Sequence, residues 1–302
     1  MKKLLYTLLL IFSANVIFAQ DDLLNSLQNE QPQKPVKVFA TFKSTRVITG
    51  QSIEHISARH LNFVILHRFG PVNDGVYQFF GMDQASLRLV FDYGLTDNIQ
   101  IGVARSSFGK TYDGNIKIKL LQQSKGKGGM PVSIGYYGNM AINTLEFTNK
   151  STTHENFFTS RLSYFNQLII SKKFGDKLSL QIAPCFVHQN LVKYISDPNN
   201  IYAIGAGGSI KLNRSFRFNF EYYPRLNGRE TKTASGDKLY DYLALGFDIE
   251  TGGHVFQLMV SNGIGMLEQH MITNSTTQWT DLGVRLGFNI ARNFSFDHKV
   301  KE

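Results

Sequence analysis

The sequence has one cysteine, one tryptophan and few charged residues, and beyond its N-terminus it has no long hydrophobic run. A single thiol, Cys185, excludes an internal disulfide and a metal cluster held by several thiolates. Without a run of about 18 apolar residues, no later segment is expected to cross a membrane as a helix. No cluster of Lys and Arg is dense enough to indicate nucleic acid as a partner.

Aromatic residues and glycine are abundant instead. The 302 residues include 24 Phe and 26 Gly, and 13% of the chain is aromatic. With only 18% charged residues, this composition favours strands and tight turns, in one large all-β domain or two ordinary ones. The formal net charge is +9; without Lys2 and Lys3, 30 basic residues remain against 23 acidic ones, a balance near +7.

The N-terminus has the features of an export signal. Basic Lys2 and Lys3 precede the apolar run Leu4–Ile11, and a small-residue cleavage site ends at Ala19. The apolar run is too short to serve as a membrane anchor. We therefore expect an exported protein whose signal peptide is cleaved near Ala19.

The clearest periodic pattern is in the last predicted strand, Trp279–Phe296. Side chains alternate between the two faces of a strand, so this segment has one apolar face and one face with charge, amide and glycine. The apolar positions are Leu282, Val284, Leu286, Phe288 and Ile290, and the positions between them are Asp281, Gly283, Arg285, Gly287 and Asn289. Behind a signal peptide, this pattern is typical of a strand with lipid outside and polar groups inside.

From His60 the same alternation recurs in about 12 segments, and the connections between them alternate in length. Short connections fall at 94–98, 122–130, 175–177, 213–215 and 251–253, and longer ones at 70–83, 107–111, 143–158, 190–200, 227–239 and 263–278. We predict an all-β fold: a closed antiparallel transmembrane β-barrel of about 12 strands, with short periplasmic turns, longer external loops and an N-terminal periplasmic tether. Closure is required because an open edge would leave backbone groups unpaired in lipid.

The predicted organisation is a signal peptide at 1–19, a tether at 20–58, the barrel at 59–296 and a polar tail at 297–302. The tether includes a candidate plug or extra strand; because residues 36–49 would make an odd thirteenth strand, we place them outside the wall. The expected location is the outer membrane. Expected partners are outer-membrane lipid, the barrel-assembly machinery through the C-terminal strand, and a periplasmic protein through residues 20–58.

A secreted soluble β-sandwich or propeller is the competing fold. Nearly every predicted strand, however, has one fully apolar face and one mixed face with charge and glycine, whereas a soluble sandwich would bury its apolar faces and show polar ones to water. Aromatic residues near strand ends fit the interfacial girdles of a membrane barrel. They are Tyr93, Tyr112, Tyr222, Tyr240, Tyr242 and Trp279.

Several short stretches resemble the β-barrel proteins of domain-of-unknown-function family 5777. They are His67–Gly70, Thr111–Gly114, Arg161–Tyr164, Gly205–Gly208, Glu221–Tyr223 and, most specifically, Glu250–Leu258. Together they extend over most of the chain from about residue 36 to 292. The resemblance implies an outer-membrane barrel and supplies no activity, so no functional residue is carried over from it.

The mixed faces of the strands form the most informative candidate site, a charged lumen. The luminal charge candidates are Arg88, Asp92, Lys117, Lys119, Arg161, Arg217, Glu221, Arg225, Asp248 and Arg285, with Asp281 in the same phase. One interpretation is cross-strand ion pairs that fill a narrow lumen; the other is a water-filled path whose basic bias favours small anionic solutes. A barrel of about 12 strands lies between filled small barrels and open porins, so size leaves both open.

Other motifs give weaker indications of chemistry. Ala104–Thr111 fits a loose P-loop pattern, but a strand follows it where a P-loop opens a helix. A lipid hydrolase or acyltransferase built on the barrel would pair a histidine such as His188 with a serine, yet no spacing selects a nucleophile. We therefore assign no catalytic, cofactor-binding or metal residue, and a filled structural or scaffold barrel is a further alternative.

Overall fold

The computed structural model describes residues 34–147, 155–192, 197–228 and 238–296. The predicted signal peptide, the first part of the predicted tether and the tail at 297–302 lie outside these residues.

Twelve long strands form a single closed antiparallel barrel, as predicted. Two further short strands, β1 and β6, pair with each other outside the wall. In chain order the strands are β1 Val36–Lys37, β2 His60–Pro71, β3 Ala85–Gly94, β4 Ile99–Ser106, β5 Thr111–Leu121, β6 Ser124–Lys125, β7 Ser133–Asn143, β8 Leu162–Phe174, β9 Leu178–Gln189, β10 Asn200–Lys211, β11 Phe216–Tyr223, β12 Tyr242–Thr251, β13 His254–Ser261 and β14 Arg285–Ser295. Among the described residues, the α-helix α1 covers Glu268–Thr273, and 3-10 turns cover Val72–Asp74, Val76–Gly81, Phe108–Lys110 and Phe158–Arg161.

The barrel closes between its first and last wall strands. β14 pairs with β2 from Ser295 opposite His60 to Arg285 opposite Pro71, with a register shift between Arg285 and Gly287. Closure leaves no free sheet edge, which is the condition for a sheet in lipid. The connections from β3 to β4, β5 to β7, β8 to β9, β10 to β11 and β12 to β13 all lie at one end of the barrel, which we call the short-turn end. The other end is the long-loop end.

The two faces of each wall strand differ in chemistry as the alternation predicts. In β4, Ile101 and Val103 are exposed on the outside, whereas Gln100 points inward and is buried. In β9, Ile182 is exposed while Gln181 on the next position is buried. A ring of exposed apolar side chains around a polar interior is suited to a lipid surround and not to water. Among the described residues, no helix is long and apolar enough to cross a membrane.

Two segments enter the lumen from opposite ends. At the short-turn end, β1 pairs with β6, and residues 41–56 continue into the barrel as a tight hairpin that we call the plug. Its arms are joined by a bridge between Arg46 and Gln51 and by a hydrogen bond from Val47 N to Gly50 O. At the long-loop end, the connection from β13 to β14 carries α1 into the lumen, where Glu268 and Met271 are fully buried.

The structure corrects three details of the predicted strands. The last strand begins at Arg285, not at Trp279, because the chain takes a left-handed conformation at Leu282, with φ of 57°, before it enters the wall. Asp281 is consequently exposed in the loop and not luminal. Tyr242 was assigned to the outer girdle, but it faces the lumen, where its hydroxyl lies 2.7 Å from the Thr49 hydroxyl.

Candidate functional site

The turn of the plug rests on a carboxylate of the wall. Glu221 on β11 accepts hydrogen bonds from Thr49 N at 2.8 Å and from Gly50 N at 2.9 Å. Residue 50 has to be glycine, because a Cβ there would lie 2.2 Å from the hydroxyl oxygen of Tyr223. A carboxylate that accepts two adjacent N–H groups forms strong, directional bonds. The tip of the plug is therefore seated at one specific place.

Carboxamides of the wall donate to the carbonyl groups on either side of this turn. Asn289 Nδ2 donates to Ile48 O at 2.7 Å, and Gln257 Nε2 donates to Val47 O at 3.0 Å. Gln181 Nε2 donates to Gln51 O at 2.7 Å. These residues come from β14, β13 and β9, so the hairpin is held from several sides of the barrel.

Three cations of the wall hold other oxygen atoms of the plug. Lys117 Nζ donates to Thr45 O at 3.1 Å and to Glu54 O at 2.7 Å. Arg217 donates to Thr41 O at 3.2 Å, and Arg68 donates to the Thr49 hydroxyl at 2.9 Å. All three bind neutral oxygens of the plug, so these contacts neutralise none of the positive charge of the lumen.

The plug also contributes apolar side chains to the interior. Val47, Ile48 and Ile53 belong to one buried cluster with Phe165 and Val187 of the wall. The wall makes room for the hairpin with glycine: a Cβ built on Gly207 would lie 3.5 Å from both methyl carbons of Val47. The lumen is thus filled by close packing as well as by polar contacts.

The helix α1 meets the plug in the middle of the barrel. Glu268 accepts from Arg46 NH1 at 2.7 Å and from Gln51 Nε2 at 2.9 Å, and the side chains of Arg46 and Glu268 are almost completely buried. Burial alone would raise the pKa of the Glu268 carboxyl, but Arg46 and Arg88 outweigh it and hold that pKa below its ordinary value. Next to it, Gln269 Nε2 donates to Asn139 Oδ1 of the wall at 2.7 Å.

One histidine in each of these two segments favours the neutral form. His55 lies near the end of the plug, and burial together with the charge of Lys117 lowers its pKa to about 3. His270 lies on α1 against the ring of Phe108, and burial together with Arg88 lowers its pKa to about 4. Both segments that fill the lumen therefore carry an imidazole that is uncharged while the segment is in place.

Most predicted luminal charges face the interior. Arg88, Asp92, Lys117, Arg217, Glu221, Arg225, Asp248 and Arg285 are all buried. Arg88 forms an ion pair with Asp113 at 2.8 Å. Asp248 accepts from Gln257 at 2.8 Å, and Arg285 donates to Phe69 O at 3.3 Å.

Lys119 and Arg161 are only partly buried, and Arg225 is buried beyond the end of β11. Lys119 is half-buried near the short-turn end, where it donates to Asp97 O at 3.1 Å. Arg161 lies in the 3-10 turn before β8, and its guanidinium donates to Asn143 O at 2.9 Å. Arg225 lies just after β11 and pairs with Asp241 at 3.3 Å.

A cavity of about 680 Å³ lies between the plug and the wall at the short-turn end. Its lining combines Lys43, Glu54 and Lys119 with the exposed end of β12 at Glu250. Lys43 and Glu250 form an ion pair across it. Burial raises the pKa of the Glu54 carboxyl, whose oxygen accepts from Phe42 N at 3.1 Å.

Three histidines, including His188, lie next to groups other than the serine that the hydrolase alternative requires. His188 Nδ1 lies 2.6 Å from Asn200 Oδ1, and His55 and His60 lie within hydrogen-bonding distance of the carbonyls of Ile53 and Ala58. None of these three partners is a hydroxyl that could act as a nucleophile. In the part of the chain that the structure describes, no group of three or more His, Cys, Asp or Glu side chains could hold a metal ion.

Sequence reasoning missed the partners that come from outside the wall. Arg46, Gln51 and Glu268 are as buried as any wall charge, but they lie in the plug and in α1, outside the wall strands whose alternation marks the luminal face. The signal that could have found them is the density of polar residues without a predicted strand between 41 and 56.

Solved outer-membrane porins and channels are similar to this chain at low sequence identity. No curated protein matches the sequence. The NanC porin is 10% identical over 78% of this chain and 100% of its own, with a TM-score of 0.49. The KdgM porin is 9% identical over 79% and 99%, with a TM-score of 0.43. An outer membrane channel from Pseudomonas putida F1 is 14% identical over 80% and 97%, with a TM-score of 0.47.

The model of one protein family matches residues 42–294, which takes in the plug, α1 and almost the whole wall. The family is described as a membrane bound beta barrel domain, and it is the one that the short sequence stretches resemble. The chain therefore belongs to the DUF5777 family of membrane-bound β-barrel domains.

Proposed function

We propose that the protein is a gated passive channel for small solutes in the outer membrane, closed by the plug and by α1. The observation that carries the proposal is the polar character of the surface between plug and wall. The wall holds the hairpin with carboxamides, a carboxylate and cations such as Asn289, Glu221 and Lys117. When the plug leaves, these groups line a hydrophilic path, as solute channels require.

Further polar atoms of the wall are free to bind water or solute. Among the described residues, Arg68 Nε, Gln181 Oε1 and Asn219 Oδ1 are buried without a protein hydrogen-bond partner. Buried polar atoms are normally satisfied by protein or by water. Their presence along the lumen is consistent with a wall adapted to a hydrated interior.

The charge of the wall favours anions among small solutes. Without the plug and α1, the buried charges on the wall strands are five basic and four acidic residues, an excess of one positive charge. The basic residues are Arg68, Arg88, Lys117, Arg217 and Arg285, and the acidic ones are Asp92, Asp113, Glu221 and Asp248. A channel lined with one excess sign concentrates ions of the opposite sign.

The proposed location follows from the export signal and the exposed apolar outer face. A bacterial barrel with both ends on the short-turn side places that side in the periplasm. Within residues 20–58, the part that precedes the plug would then be accessible to a periplasmic protein. The strand β14 would be recognised by the barrel-assembly machinery, and outer-membrane lipid would cover the apolar face.

Conductance across planar bilayers tests the channel. Gly50→Val forces the plug off its seat, because the side chain collides with Tyr223, whereas Gly114→Val adds the same atoms on the outer face with only Gly102 O at 3.9 Å. Overpacking of this kind costs about 1–3 kcal/mol, which raises the ratio of open to closed molecules about 5- to 150-fold. We expect frequent conducting steps for Gly50→Val and rare ones for Gly114→Val and the native protein. A folded Gly50→Val barrel that never conducts would refute the channel.

A further inference from the structure

The seat of the plug is also a recognition site, and its pattern of donors and acceptors identifies the chemistry it accepts. We propose that the mid-lumen wall binds short peptides through their main chain, and that the plug occupies this site as a built-in ligand. The site itself depends only on the contacts described; that peptides are the solutes of the channel rests on the proposed function.

The first argument is that side chains of the wall bind main-chain atoms of the plug. Wall side chains form hydrogen bonds with main-chain N–H or C=O groups at nine residues: Thr41, Thr45, Val47, Ile48, Thr49, Gly50, Gln51, Glu54 and Ile56. Main-chain groups are common to all sequences. Recognition through them tolerates changes in most side chains of a ligand.

The second argument is the order of acceptors and donors. At the turn, Glu221 accepts from two adjacent N–H groups, and on either side Asn289 and Gln181 donate to carbonyls at 2.7 Å. Separate N–H donors and C=O acceptors in alternation are the property of a polypeptide chain. Sugar hydroxyls donate and accept at the same atom, so they would not need this separation.

The third argument is the presence of apolar pockets beside the polar groups. Val47 and Ile48 insert into the buried cluster that includes Phe165, Val187 and Tyr223. Backbone hydrogen bonds with pockets for alternate side chains are the usual combination in peptide-binding sites. The excess of positive charge in the lumen further suits the terminal carboxylate of a short peptide. The preferred ligand is thus a short peptide with a glycine turn flanked by aliphatic residues.

The test uses the full-length Gly50→Val protein in detergent and three fluorescent synthetic peptides. The parent peptide has the sequence of residues 41–56. The second has a methyl group on the nitrogen that corresponds to Gly50, which removes one N–H bound by Glu221. The third keeps the glycine, Arg46 and Gln51 but has alanine in place of Lys43 and Ser44. If Gly50→Val leaves residues 41–56 protected from protease, adding Thr49→Pro removes the second N–H donor to Glu221 and displaces the plug.

Fluorescence anisotropy should show binding of the parent peptide to the variant and no binding to the native protein, whose site is occupied. Main-chain recognition predicts that the alanine peptide binds within about threefold of the parent, since its backbone is intact. The methylated peptide should bind about tenfold more weakly or worse, because it leaves a buried carboxylate short of one donor. Glu221→Gln, introduced into the Gly50→Val protein, should also weaken binding of the parent peptide.

Two results would overturn the proposal. One is the absence of parent-peptide binding to a barrel whose plug is displaced. The other is a larger loss of affinity for the alanine peptide than for the methylated one, which would mean that the wall recognises the side chains of the plug and not its main chain. Conductance measurements distinguish failure of the peptide site from failure of the proposed channel. Conducting steps that the peptide does not block would leave the channel intact and remove the peptide site, whereas peptide binding without conductance would do the reverse.

Discussion

Arg46 of the plug and Glu268 of α1 form a buried ion pair with an N···O distance of 2.7 Å. One residue reaches this point from the short-turn end and the other from the long-loop end. The pair therefore joins the two segments that close the lumen. Displacing either segment leaves the charge of the other without its partner.

Glu268→Gln should open the barrel from the long-loop side. Removing one partner of a buried pair costs about 3–5 kcal/mol, because the remaining guanidinium is left uncompensated. We expect a large rise in the open fraction, seen as conducting steps in planar bilayers and as protease cleavage within residues 41–56. The wall should stay folded, which the shift in electrophoretic mobility between heated and unheated samples would show.

Combining Arg46→Met with Glu268→Leu provides the control for this pair. Replacing both charges by apolar side chains of similar volume is often neutral or stabilising in a buried site. The double variant should return the open fraction close to that of the native protein. A double variant as open as Glu268→Gln would show that the opening does not come from an uncompensated Arg46 charge.

Locking the plug to the wall should abolish conductance. A Cβ on Gly207 would lie 3.5 Å from both methyl carbons of Val47, a separation compatible with a disulfide between Val47→Cys and Gly207→Cys. Cys185, the free thiol, is replaced by serine to prevent mispairing. Oxidised protein should show no conducting steps in bilayers, whereas reduced protein should keep the rare steps of the native barrel, and each single cysteine variant should be indifferent to reductant. Equal currents in oxidised and reduced double variants would place the path elsewhere.

The wall could be predicted from the sequence because lipid imposes one rule on every strand. Ile101, Ile182 and Phe288 must face outward, which fixes Gln100, Gln181 and Asn289 inward by the period of two. That rule gives strand number, closure and the identity of most luminal charges. It says nothing about segments that never touch lipid.

The contacts inside the lumen could not be predicted for that reason, although the sequence did indicate a candidate plug within residues 20–58. The plug and α1 owe their positions to long-range pairs such as Arg46 with Glu268 and Thr49 with Glu221, which are 222 and 172 residues apart in the sequence. Tyr242 was assigned to the girdle from its place near a strand end, although its phase with Asp248 on β12 places it inward, where its hydroxyl meets that of Thr49.

Removing one luminal cation should reduce anion preference. In the Gly50→Val background, Arg217→Gln deletes a buried charge of the wall, whereas Arg292→Gln deletes an exposed arginine that stacks on Phe294. A unit charge about 10 Å from an ion in water contributes about 0.4 kcal/mol, which is about twofold in relative permeability. Reversal potentials in a salt gradient should therefore shift towards cations for Arg217→Gln and stay unchanged for Arg292→Gln. The same shift in both variants would exclude a luminal effect.

Acidification should open the channel, because both closing segments carry a histidine that must be neutral to stay in place. The pKa of His270 is lowered from 6.5 to about 4 by burial and Arg88, and that of His55 from 6.5 to about 3 by burial and Lys117. A displaced segment thus binds a proton that the seated one does not, so the closed state loses stability as the pH falls below about 6.5. The carboxyl of Glu54 acts in the opposite sense above its ordinary pKa of 4.5, because burial raises its pKa, so it offsets part of the effect of the two histidines. Conductance of the native protein should therefore rise between pH 7 and pH 5, and the double variant His55→Gln with His270→Gln should respond less. A pH response of the double variant equal to that of the native protein would assign the effect to other groups.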